Sequence, residues 1–237
     1  MFESISIAYA EANDTLFLSY QDAPEDVKKR QALRTARRIG TRRIGTLHRE
    51  TELLLDDVEA CQLSALVDAT AKIEGDMAEV GIYNGGSAKI MCEVKGVRPL
   101  HVFDTFTGLP EVEDVDVSLT YGLNYEVGSW AGASLETVTN YLKAYPNVFL
   151  YKGAFPTIAK PIEGKTFSFV HLDVDTYKST LSCLEFFYPR VSTGGIILSH
   201  DYLRSVGVTT TYHEFFEDKR EPIISLTGKQ CLIMKLR

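Results

Sequence analysis

Apolar and polar positions along the chain fall into two periods that take turns. Short apolar runs bounded by turn residues, MAEVGI, LHVFD, NVFLY, FSFVHLDVD and GGIILS, read as buried strands. Between them lie segments with helical spacing: Ser87–Val94, Leu135–Leu142 with Ser134 as its N-cap, and Ser179–Tyr188. Upstream, Glu50–Lys72 reads as one amphipathic helix with Leu54, Val58, Cys61 and Ala65 on its apolar face. Strict alternation of strand and helix requires parallel strands joined by crossover helices, and so a sheet covered on both faces. The C-terminus departs from that rule. After a helical stretch at Thr211–Lys219, PIISL and CLIMKL are separated only by TGKQ, too short for a parallel crossover, so these two strands pair antiparallel. The expected fold class is α/β: a Rossmann-like sheet, mostly parallel, with a C-terminal antiparallel hairpin and helices on both faces.

Composition narrows the class. The chain has 237 residues, 45% of them hydrophobic and 24% charged, enough for one sizeable core. Mean hydropathy is −0.06, and no stretch approaches the roughly 18 apolar residues of a membrane span, so no membrane partner is expected. Glu3 and Glu11 stand where a secretory signal carries positive charge. Cys61, Cys92, Cys183 and Cys231 are too widely spaced for a CxxC metal pair or a disulfide framework. These features together suggest a cytoplasmic protein with buried thiols.

Charge divides the chain in two. Nine basic residues and no acid lie between Lys28 and Arg49, including the tandem repeat RRIGT at Arg37–Thr41 and Arg42–Thr46, whereas the net charge of the whole is −7. Residues 1–49 therefore read as a basic arm or lid, and 50–237 as the catalytic domain. No aromatic residues interleave with the repeat for base stacking, and Gly40 and Gly45 argue against a continuous recognition helix. The arm is expected to dock on an acidic surface, of its own body or of a partner in a homodimer, and not on nucleic acid. A second cover is Pro110–Trp130, a polar segment in which Tyr121, Tyr125 and Trp130 supply packing groups.

Three motifs carry chemistry. EVGIYNGGSA, Glu79–Ala88, is a strand ending in glycines that opens into a helix N-terminus, with spacing unlike the G-x-G-x-x-G of dinucleotide folds. A methionine carboxylate and ammonium can use such a looser turn, and Glu79 could supply the acid; a plain strand–helix turn also explains it. HVFDTFTGLP puts Asp104 at the next strand end, where a carboxylate accepts hydrogen bonds from ribose hydroxyls or, alternatively, caps a helix. HLDVDTY and SHDY place Asp173, Asp175, His200 and Asp201 at strand ends, a donor set suited to Mg²⁺ or Mn²⁺. Asp175 as a helix cap and His200 as a buried imidazole are the bland alternatives. His200 and His213 are the candidate general bases.

A parallel sheet finishing in an antiparallel hairpin is the topology of class I methyltransferases. Taken together, GDMAEVGIYNGGSA, FDTFTGLP, KGAFPTI, HLDVDTYKST and HDY resemble the macrocin O-methyltransferase family, S-adenosylmethionine-dependent enzymes that methylate sugar hydroxyls of natural products. The resemblance runs from about Leu54 to the C-terminus and leaves out the basic arm. It implies cofactor contacts at Glu79, Gly81, Tyr83, Gly85 and Ser87, at Asp104, Thr105 and Phe106, and at Gly153 and Asp173. It also implies a divalent metal at the aspartates of the fourth and fifth strand ends. One departure stands out: His200–Asp201 occupies the place of the family's usual pair of acids. The expected activity is methyl transfer to a hydroxyl of a small molecule, a natural-product sugar, a vicinal diol or a catechol. A nicotinamide-dependent oxidoreductase, a nucleic-acid methyltransferase and a non-catalytic cofactor-binding protein are the rival readings.

Overall fold

The computed structural model describes the backbone of residues 41–120 and 123–237, and side chains from Ile44 onward. Residues 1–40, with the first RRIGT repeat, and Tyr121 lie outside the described residues.

The second RRIGT repeat forms a helix, α1 (Thr41–Glu50), with Gly45 inside it. Ile44 and Leu47, three apart on one face, are fully buried in the core. The described part of the arm is thus anchored by apolar packing, in place of purely electrostatic docking. Glu50 reinforces it through Lys89 Nζ at 2.7 Å.

The single helix expected over Glu50–Lys72 is two. Asp56 accepts the N–H of Glu59, whose side chain accepts the N–H of Asp56, a reciprocal capping box that starts α2 (Asp57–Ala69) afresh. Its buried face is Ala60, Leu63 and Val67, whereas Leu54 and Val58 are 45% and 48% exposed. Between α1 and α2 the chain is irregular, with bends at Thr51 and Leu55, so the single apolar face expected from spacing is interrupted there.

From there the alternation holds: β1 (Asp76–Val80), α3 (Gly86–Val94), β2 (Leu100–Asp104), α4 (Leu135–Leu142), β3 (Val148–Lys152), β4 (Phe167–Leu172), α5 (Tyr177–Phe187), β5 (Val191–Ser199) and α6 (Val206–Phe216). The chain closes with β6 (Ile224–Ser225) and β7 (Cys231–Met234). Ser134 caps α4 through the N–H of Thr137. Ser205 caps α6, which begins at Val206, five residues upstream of the expected start.

The sheet runs β3-β2-β1-β4-β5-β7-β6. Strands β1 to β5 pair parallel, and β7 is antiparallel to both β5 and β6. Alternate strand residues feed two cores. Met77, Val102 and Leu198 join Ile44, Leu63, Met91 and Val138 on one face. Ala78, Phe103 and Ile197 join Leu184, Val208 and Tyr212 on the other. Helices therefore cover both faces, as expected. The order reverses between β1 and β4, so their carboxyl ends diverge and open the crevice in which open α/β sheets bind ligands.

Candidate functional site

An open cavity, about 1310 Å³ with the solvent space at its mouth included, lies at that reversal. Its floor is made by strand ends. Gly81, at φ +81°, leaves β1 so close to β4 that a Cβ there would lie 1.8 Å from the carbonyl oxygen of Asp173. Only glycine allows this approach, which the Asp173 N–H to Val80 carbonyl bond of 2.9 Å holds closed.

Asp104 staples the next turn. One carboxylate oxygen accepts the N–H groups of Ile82 and Tyr83 at 2.9 and 3.0 Å, and the other accepts the N–H of Phe106 at 2.7 Å. Three of about four acceptor positions are so filled by backbone, and the carboxylate is held rigid at the cavity wall. Asp104 caps no helix. Tyr83, Ser87, Thr105, Gly153 and Asp173 also line the cavity. Gly85 sits behind it at the N-cap of α3 with φ +80°, and Phe106 contributes its backbone turn at φ +53°.

Glu79 is not brought to the cavity. Its side chain is fully buried, with Oε1 2.8 Å from Nδ1 of an equally buried His171 and Oε2 without a hydrogen bond. The motif position is right for a cofactor acid, but the strand register sends the carboxylate to its β4 neighbour.

The metal-type constellation does assemble. Asp173, His200 and Asp201 each offer a ligand atom within 4.8 Å of the others. His200 Nδ1 stands 3.1 Å from Asp173 Oδ1 and 2.9 Å from Asp201 Oδ2. Its other nitrogen, Nε2, stands 3.3 Å from Oε2 of Glu59 on α2. Burial alone would depress the His200 pKa, but Asp173 and Asp201 outweigh it and hold the imidazole well above its ordinary range. In return, and against its own burial, Asp201 is held low by His200, by a hydrogen bond from Asp175 and by Arg204. Asp175 goes the other way: burial and then the charges of Asp201 and Asp173 push its pKa up.

Asp175 therefore stands beside the three-residue group and outside it. Nor does it cap α5, whose N-cap Thr176 makes no side-chain cap bond. The free N–H of Tyr177 goes at 2.6 Å to Asp116 of the 110–130 segment. The described part of that segment is irregular, as expected, and is tied to the Asp201 loop by the Leu119 N–H to Arg204 carbonyl bond of 2.7 Å.

His213 is not brought to the site. It lies exposed on α6, bonded to the Tyr202 hydroxyl at 3.0 Å, on a helix whose buried face carries Thr211 and Tyr212.

Glu52, which accepts the Tyr83 hydroxyl at 2.8 Å, and Arg204 line the cavity without a sequence signal, beside Leu54 and Phe155. Glu59 had a signal, the D-x-x-E of the capping box. Strain gathers here too, for Tyr83, Trp130, Asp175 and Asp201 all have positive φ and all line the cavity.

The family model for macrocin-O-methyltransferase (TylF) matches residues 5–229. The chain belongs to the macrocin O-methyltransferase family. The match begins far upstream of Leu54, so the basic arm falls inside it. Among macrocin O-methyltransferase relatives, an 8-demethyl-8-(2,3-dimethoxy-alpha-L-rhamnosyl)-tetracenomycin-C 4'-O-methyltransferase of Streptomyces olivaceus is 28% identical over 158 residues, 62% of this chain and 59% of that protein. A mycinamicin III 3''-O-methyltransferase of Micromonospora griseorubida is 28% identical over 160 residues, 62% of this chain and 62% of the relative. The aligned part thus spans about three-fifths of the length of these curated relatives. The crystal structure of a calicheamicin methyltransferase superposes with a TM-score of 0.62 at 20% identity, covering 90% of this chain and 93% of that one. The fold is that of class I methyltransferases.

Proposed function

We propose that this protein transfers a methyl group from S-adenosylmethionine to a hydroxyl of a small molecule, a sugar of a natural product, with a divalent cation assisting. The observation that carries the reading is one cavity in which the Gly81 turn and Asp104 face the Asp173–His200–Asp201 group across the β1–β4 reversal. The named activities of the relatives, 4'-O-methylation of a rhamnosyl tetracenomycin and 3''-O-methylation of mycinamicin III, agree with it.

Asp104 is aimed, by its three backbone N–H partners, to accept a ribose hydroxyl with its remaining lone pair. Ser87, at the first turn of α3, offers a hydroxyl beside free helix N–H groups for the methionine carboxylate. Acidic walls suit the sulfonium and ammonium charges of the donor.

The donor chemistry of Asp173, His200 and Asp201 fits a hard cation, and Asp201 Oδ1 is buried without a hydrogen bond, with Arg204 Nη1 at 3.5 Å as its charge neighbour. These three residues would hold Mg²⁺ or Mn²⁺, and such an ion supplies positive charge that orients hydroxyl oxygens and makes them more acidic. Both nitrogens of His200 are engaged, so it is not free to take a proton from the acceptor. Asp173, 21% exposed against 4% for His200 and Asp201, is the carboxylate an acceptor reaches, and its oxygen accepts the hydroxyl proton. The 110–130 segment and the wall at Glu52–Leu55 exclude water from the transfer. Among the described residues no helix is long and apolar enough to cross a membrane. The arm is read as completing the acceptor pocket of a cytoplasmic homodimer, without nucleic acid.

Calorimetric titration tests the reading. S-adenosylhomocysteine should bind and NADH should not, and D104A should lose most of that affinity. EDTA should abolish turnover of a sugar acceptor; full activity in chelator removes the cation, and absence of S-adenosylhomocysteine binding removes the whole assignment.

A further inference from the structure

Glu59 has more than a capping role. A capping box needs one carboxylate oxygen at a helix start, and such residues ordinarily sit in water. Here the carboxylate is fully buried, a placement that costs several kcal/mol unless the charge is well paired. Its partners come from three parts of the chain. Oε2 accepts the Asp56 N–H at 3.0 Å and faces His200 Nε2 at 3.3 Å. Oε1 accepts the Lys229 N–H of the β6–β7 turn at 3.0 Å, and a Cβ on Gly228 would come within 2.8 Å of it. The carboxylate cannot move without opening α2, the hairpin turn or both.

What it holds is the ring of His200. With Nε2 fixed on Glu59, the imidazole plane has one orientation left, and Nδ1 is directed between Asp173 and Asp201. A carboxylate behind a histidine is also the arrangement that fixes which ring nitrogen faces a metal.

We propose that Glu59 is a positioning residue for the site: its contact with Nε2 sets the orientation of the His200 ring, so that Nδ1 is presented to the space shared with Asp173 and Asp201. The inference rests on the reading of that trio as a cation-binding group, and no part of it needs S-adenosylmethionine or an acceptor.

The discriminating variant is Glu59→Gln, which keeps the volume and can still serve the capping box but turns a pure acceptor into a group that can donate to Nε2. Mn²⁺ alone, titrated into the full chain and followed by electron paramagnetic resonance, should bind E59Q about 10- to 100-fold more weakly than the wild type. D56A, which removes the cap and leaves the carboxylate opposite His200, should lower Tm yet bind Mn²⁺ as the wild type does. ¹⁵N spectra of the His200 ring without metal should show Nε2 protonated in the wild type and altered in E59Q. The inference is overturned if E59Q leaves both Mn²⁺ affinity and ring spectrum unchanged, or if D56A weakens Mn²⁺ as much as E59Q. Should the wild type bind no Mn²⁺, the ring spectrum alone decides, and the cation reading fails separately.

Discussion

Gly81 is where the geometry of the cavity floor can be put to the hardest test. Alanine at this position faces two separate penalties. The first is conformational: a φ of +81° costs a residue with a Cβ about 1–2 kcal/mol. The second is steric, because the new Cβ would lie 1.8 Å from the Asp173 carbonyl oxygen and 2.8 Å from its carbon. Backbone cannot rotate away as a side chain can, so β1 and β4 must separate where Asp173 N–H meets Val80, and overpacking of this kind costs about 1–3 kcal/mol. The sum, about 2–5 kcal/mol, corresponds to a fall in Tm of about 4–20 °C for a chain of this size. Gly96 isolates the first penalty, for its φ is +63° and a Cβ there meets nothing within 4 Å. G96A should therefore lose only about 2–8 °C. Differential scanning calorimetry of both variants, with S-adenosylhomocysteine titration of each, makes the comparison. G81A should also lose ligand affinity, because the displaced turn carries Ile82 and Tyr83, the donors that aim Asp104. If G81A melts with G96A and binds the ligand as well, the close approach of the two strands is not a constraint and the reasoning is wrong.

Asp116 should behave as a fastener of the 110–130 segment. It accepts Tyr177 N–H at 2.6 Å and Glu113 N–H at 2.8 Å, so D116A should cost about 1–2 kcal/mol and quicken proteolytic cleavage between residues 110 and 130; an unchanged cleavage rate argues against it. Asp76, at the start of β1, should shape the acid limb of stability. Burial raises its pKa, but Lys165 at 2.6 Å and His101 at 2.9 Å outweigh that and hold it below its ordinary 3.8. A depressed carboxylate stabilises the fold fully above its unfolded value and loses that contribution as pH falls through the lower folded value. The stability gap between wild type and D76N, from urea melts, should be constant above about pH 5 and shrink below pH 4, and a gap that widens in acid refutes the sign.

What could be read from the chain depended on how far each signal reached. LHVFD and Leu135–Leu142 were found with the observed bounds because turn residues or a serine cap close them and their period is uninterrupted. The stretch after Arg49 failed because of the run Leu53–Leu55. Leu53 and Leu55 are buried at 9% and 2% while Leu54 is 45% exposed, an alternation of two that does not fit a helix, and three successive leucines hide it. The strand-end residues Asp173, His200 and Asp201 were legible because topology alone brings strand ends together. Glu59 was not, since a contact across 141 positions leaves no periodic trace in either segment. Glu79 lies between these cases. Its β1 position is the direct neighbour of His171 in the β4 register, and residues opposite each other on adjacent strands share a face. Alternation along β1 and along β4 is visible separately in MAEV and FSFVHL, but β1 and β4 are far apart in sequence. Only the reversal of strand order, which puts β4 on the side of β1 opposite β2, turns two buried polar residues into a pair and turns Glu79 toward His171.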